Sequence, residues 1–161
     1  MFQSFFPQPK LFFSSLALWS GILILVWYSF GKTIGEFLGF DLAETETVIG
    51  LGHFITSEFL WFDTFFAFGA LAFFFVWRSR SPHEWQVWSV LGSALLIYLS
   101  YASVQVSVVI NAWYGPFYND IQTALTGDGG ITASDLYGHF LVFCTIAFPY
   151  ILFIILNRFF T

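Results

Sequence analysis

Four long apolar runs alternate with short polar stretches. Leu11 to Phe30 carries no charge, Phe59 to Trp77 contains only Asp63, Val87 to Trp113 carries none, and Tyr137 to Leu156 contains only His139 and a proline, Pro149. A helix that crosses a bilayer needs about 20 mostly apolar residues. The runs are continuous and do not alternate at every second residue, as barrel strands do. The pattern therefore predicts an all-α membrane protein with four transmembrane helices over 11–30, 59–77, 87–113 and 137–156. Residues 1–161 read as a single transmembrane region. The first run is too long for the apolar stretch of a signal peptide, and no small-residue cleavage site follows it directly, so it reads as a retained helix.

Punctuation between the runs suggests local geometry. Ser81-Pro82 suits a helix start, with Ser81 as N-cap, Pro82 at the first helical position and Glu84 closing an S-x-x-E capping box. Gly115-Pro116 predicts an end to the third helix. Pro116 would then open a short amphipathic segment carrying Phe117, Tyr118, Ile121, Ala124 and Leu125 on one side. The stretch 31–58 reads as a glycine-rich, acidic connector with a short interfacial helix around 44–55. Residues 1–10 read as an irregular arm of phenylalanines broken by Pro7 and Pro9.

Composition supports the membrane assignment: 58% of residues are hydrophobic and 9% charged, against about 25% charged in a soluble domain. The net charge of -5 excludes a basic nucleic-acid footprint. Cys144 is the only cysteine, so neither an internal disulfide nor a thiolate metal cluster forms within one chain. Lys10, Arg78, Arg80 and Arg158 sit at one set of helix ends and only Lys32 at the other, which predicts that both termini are cytoplasmic.

Candidate chemistry is sparse. At 100° per residue, Ser93, Ser100, Ser103, Ser107 and Asn111 lie within about 80° of one another on the third helix. Such a face permits close helix packing or lines a polar path. Gln105 lies roughly opposite and needs a partner of its own, because an unpaired amide is costly in hydrocarbon. Asp63 and His139 are the ionisable residues inside spans, both shallow. They are the proton-linked candidates, and they would pair if their helices are neighbours. Nothing indicates a nucleophile–base constellation or metal-ligand spacing, so no enzyme activity, metal or cofactor is expected. No G-x-x-x-x-G-K-[ST] loop is present for binding ATP.

The opening MFQSFFPQPKLFF, the turn SPHEWQVWS and above all NAWYGPFYNDIQTAL resemble the SbmA/BacA family of bacterial inner-membrane peptide transporters. The resemblance implies the N-terminal portion of an ABC-exporter-like transmembrane domain, with the C-terminal remainder of the family domain lying beyond this chain. It implies proton-coupled import of peptides, peptide antibiotics included, by a homodimer in the bacterial inner membrane. The family's proton-linked acids fall largely beyond Thr161, and its pattern has Glu where this chain has Gln105, an amide that does not titrate. The alternatives are the membrane domain of an ABC-type exporter of lipid or peptide, and a non-transport membrane subunit. Haem ligation would need paired histidines within spans, and only His139 lies in one.

Overall fold

The computed structural model describes residues 8–43, 48–127 and 130–160, with nothing said of the side chains of Asn157 and Phe160. Helix α1 spans Pro9–Phe37, a 3₁₀ turn Leu51–Ile55, α2 Ser57–Arg80, a π turn Val87–Gly92, α3 Ser93–Thr126 and α4 Ala133–Phe160. Among the described residues there is no strand. Four helices, counting the π turn with α3, are long and apolar enough to cross a membrane. Large apolar side chains lie exposed along all of them, Leu25, Phe68, Ile97 and Phe148 among them, as expected where lipid is the solvent.

The chain divides into two compact units. The first contains α1, α2 and the π turn. Its helices run antiparallel, and the pairing is written in aromatic contacts. Phe12 meets Phe73 and Trp77 at ring-centroid distances of 5.6 and 5.2 Å, while Trp27 stacks on Trp61 at 6.1 Å and meets Phe65 at 5.1 Å. Phe12, Phe73, Phe74, Trp77 and Val90 form the buried cluster at one end.

Three indole N–H groups cross this helix pair. Trp19 donates to the Gly69 carbonyl, Trp61 to the Gly31 carbonyl and Trp77 to the Ser15 hydroxyl, each at 3.0 Å. Two of the acceptors are glycine carbonyls, where no side chain bars the ring from the backbone. At Gly35 a Cβ would stand 2.6 Å from Leu42 Cδ1 and 2.9 Å from the Trp61 indole nitrogen. Gly35 also sets the end of α1. Phe40 N–H returns to its carbonyl at 3.0 Å and Gly39 N–H to that of Glu36 at 3.0 Å, with Gly39 at φ 94°. This is a Schellman ending, and it lays Phe40 against Trp61 at 5.4 Å.

The second unit contains the 3₁₀ turn, α3 from Leu96 onward, and α4. Val106, Val109, Trp113 and Ile146 are its buried centre, flanked by Phe54, Phe143 and Phe153. Thr132 and Asp135 cap α4. The Asp135 carboxylate accepts the Thr132 N–H at 2.8 Å and its hydroxyl at 2.7 Å, while Asp135 N–H returns to the Thr132 carbonyl at 3.1 Å. The carboxylate accepting the Thr132 N–H is one half of a capping box; the Thr132 hydroxyl donates to that carboxylate instead of accepting the Asp135 N–H.

Several boundaries differ from the sequence expectations. α3 does not stop at Gly115-Pro116 but runs on to Thr126, so the separate amphipathic segment is the end of the same helix. A proline disfavours helical geometry in the residue before it by colliding with that residue's Cβ and N–H. Here that residue is glycine, which has no Cβ to meet the proline ring. Ring pairs spaced four residues apart bridge the interruption: Trp113 stacks on Phe117 at 4.5 Å and Tyr114 on Tyr118 at 5.7 Å.

The Ser81–Glu84 capping box does not form. Residues 81–85 are not helical, with a turn at 84–85, and the helical stretch begins at Gln86. The start is supported by His83, whose Nδ1 accepts the Trp85 N–H at 3.2 Å and whose carbonyl accepts that of Gln86 at 3.2 Å. The interfacial helix near 44–55 reduces to the 3₁₀ turn, its beginning at 44–47 lying outside the described residues. So does the arm up to Pro7. Pro9 opens α1, at the position where its missing N–H has no partner to lose.

Replacing Gly35 with alanine should destabilise the first unit. Overpacking against Trp61 costs roughly 1–3 kcal/mol, more than the gain in helix propensity of at most ~1 kcal/mol. Reversible unfolding in mixed micelles measures this. Gly115→Ala, in open space but ahead of a proline, should show a loss confined to the end of α3 by amide exchange.

Candidate functional site

In the second unit, His139 and Asp120 bring the ends of α3 and α4 together. His139 Nε2 lies 2.7 Å from Asp120 Oδ2, and each side chain is 23% exposed. His139 is held from three directions. Its backbone carbonyl accepts the Trp113 indole N–H at 2.9 Å. Its ring lies 6.0 Å from that of Phe117, and Phe117 is itself stacked on Trp113. The pair opens to an open pocket whose wall includes Ser134, Asp135 and Gly138. The part-buried imidazole and its carboxylate partner thus present a hydrogen-bonded polar pair to the pocket. No group of three or more metal-ligating side chains is assembled among the described residues.

Asp120 was not among the sequence candidates. It lies beyond the Gly115-Pro116 break at which the third helix was expected to end. Once the helix continues through Pro116, Asp120 falls seven residues after Trp113, on the same face. The described side-chain partner of His139 is Asp120; Asp63 lies on α2, in the first unit.

The partner that Gln105 requires is His53. His53 Nε2–H donates to Gln105 Oε1 at 3.1 Å, bringing the 3₁₀ turn onto the middle of α3. Phe54 beside it packs into the buried centre and lies 6.4 Å from Phe153. The connector between α1 and α2 is therefore not a solvated loop throughout. The signal for this is the apolar run VIGLGHFI around His53, inside an otherwise acidic connector.

Ser93, Ser100, Ser107 and Asn111 are exposed and Ser103 half-buried. The hydroxyls of Ser93, Ser100 and Ser107 donate to carbonyls one turn back, those of Ser89, Leu96 and Ser103, at 2.8, 3.0 and 3.2 Å. Each hydroxyl proton is thus satisfied within α3, leaving oxygen lone pairs on a face of small side chains. The interhelical packing expected of this face is not made by the hydroxyl protons.

The model of the SbmA/BacA-like family matches residues 82–161. Over these residues the chain belongs to the SbmA/BacA-like family. The match takes in the turn SPHEWQVWS from Pro82 onward and the whole of NAWYGPFYNDIQTAL, and with them Pro116, Asp120, the serine face and His139. The opening MFQSFFPQPKLFF lies outside it, as does His53. Together with the four membrane-length helices, the match assigns the chain to a family of membrane transporters.

The His53–Gln105 contact has a measurable strength. A double-mutant cycle of His53→Ala and Gln105→Ala, read by unfolding in micelles, should give a coupling of ~0.6 kcal/mol and no more than ~1.7 kcal/mol, the range found for polar contacts between membrane helices.

Proposed function

We propose that this SbmA/BacA-like chain is the membrane-embedded part of a proton-coupled peptide importer of the bacterial inner membrane. Its cargo includes peptide antibiotics, its working form at full length is a homodimer, and both its termini are cytoplasmic. The observation that carries this is the family match over residues 82–161, which contain the long helix and its histidine-bonded end. The distribution of Lys10, Arg78, Arg80 and Arg158 supports the orientation.

In this function Ser93, Ser100, Ser103, Ser107 and Asn111 border the solute path. A face whose hydroxyl protons are already bonded within its own helix offers acceptor oxygens to passing backbone N–H groups without holding any one peptide tightly. Gln105, bonded to His53, fixes the adjoining turn instead of carrying a proton. Asp63 and His139 are the proton-linked residues, His139 acting together with Asp120.

Expression of the full-length protein in a bacterium lacking its own peptide uptake system should raise sensitivity to peptide antibiotics that act inside the cell. Unchanged resistance with folded protein in the membrane argues against import. In a Cys144→Ala background, Ser100→Cys and Ser107→Cys should react with membrane-impermeant thiol reagents and be protected by excess peptide. Leu99→Cys, at a position only 4% exposed, should not react.

A further inference from the structure

The end of α3 has the construction of a hinged arm. Pro116 has no N–H, so the Ala112 carbonyl lacks its usual helical donor, and the helix is weakest there. Gly115, beside it, has no side chain, and both residues are exposed. Past this point most side chains are exposed, with Phe117, Asp120, Ile121 and Thr123 part-buried. Phe117 stacks on Trp113, and Asp120 bonds His139. Further along, Tyr118 is 54% exposed and Leu125 82% exposed. The Asp120–His139 bond is therefore the outermost described polar tie between the arm and α4.

That tie depends on protonation. On an imidazolium both ring nitrogens donate, and the bond to the Asp120 carboxylate is charge-assisted, roughly twice as strong as a neutral one. On a neutral ring the Nε2–H donates more weakly. In the other tautomer a lone pair faces the carboxylate and the bond is lost. The charged groups around the ring are Asp120 from α3 and Asp135, one turn earlier on α4 and within electrostatic reach. The histidine of the 3₁₀ turn is engaged with Gln105.

We propose that residues 117–126 form an arm pivoting at Gly115–Pro116 and latched to α4 by Asp120–His139, the latch holding when His139 is protonated and slackening when it is not. The device goes beyond the transport reading, because its test reads conformation and needs no cargo. By bending at the pivot, the arm would cover or uncover the pocket walled by Ser134, Asp135 and Gly138.

Spin labels placed by Leu125→Cys and Tyr137→Cys in a Cys144→Ala chain report the arm-to-α4 distance in nanodiscs. Between pH 5 and pH 8, the interval in which imidazole changes charge, the distance distribution should broaden toward longer values. His139→Gln and Asp120→Asn should each abolish the pH dependence, and Pro116→Ala, which restores the helical hydrogen bond, should keep the distribution narrow at both values. A distribution in the parent chain that does not change with pH overturns the proposal. Broadening that persists in His139→Gln overturns the latch, and broadening that persists in Pro116→Ala overturns the pivot.

Discussion

Every polar hydrogen must find an acceptor where the solvent is hydrocarbon, and the tryptophan indole is the side chain through which this chain most visibly meets that demand. An indole carries one donor and no acceptor. In an apolar helix pair the available acceptors are helix carbonyls, each with a lone pair left after the i→i−4 bond, and the occasional hydroxyl. Trp19, Trp61, Trp77 and Trp113 all use them, reaching across to a neighbouring helix at 2.9–3.0 Å. The requirement explains why small residues sit opposite large rings. Gly31 and Gly69 expose their carbonyls, and Gly35 leaves the space in which Trp61 lies. Lipid offers no hydrophobic drive to bring helices together, so such close approach and hydrogen bonding supply the specificity of pairing.

The same constraint governs the proline in α3. A broken hydrogen-bond ladder is tolerated in a membrane helix only where neighbouring groups compensate. Stacked rings at 113/117 and 114/118 bridge the interruption, and the glycine before the proline has no Cβ to collide with its ring. What looked like a stop signal is therefore a missing hydrogen bond inside one continuous helix. It falls four residues before the carboxylate that joins that helix to α4.

The membrane class, the helical architecture and the four apolar runs were legible because length and hydropathy are properties of local sequence, and α3 and α4 are found where those runs lie. The ends were less legible. Ser81-x-x-Glu84 and Thr132-x-x-Asp135 have nearly the same form, yet only the second is a working cap. The difference is tertiary. The first helical turn after Ser81 opens as a π turn with Val90 packed against Phe12, Phe73 and Trp77, and His83 takes over the start. The polar sites needed partners far apart in sequence. His53 and Gln105 are 52 residues apart and Asp120 and His139 are 19 apart. No periodicity along a single helix reveals either pair.

The two histidine contacts differ in what a proton does to them. His53 donates to an amide oxygen, an acceptor that carries no charge. His139 faces a carboxylate, and protonation changes the interaction from a dipole against a charge to a pair of opposite charges. In a medium of low dielectric that difference is amplified. An amide at 105 makes the contact to the 3₁₀ turn a hydrogen bond to a neutral acceptor, while the contact at the end of α3 sets an imidazole against a carboxylate.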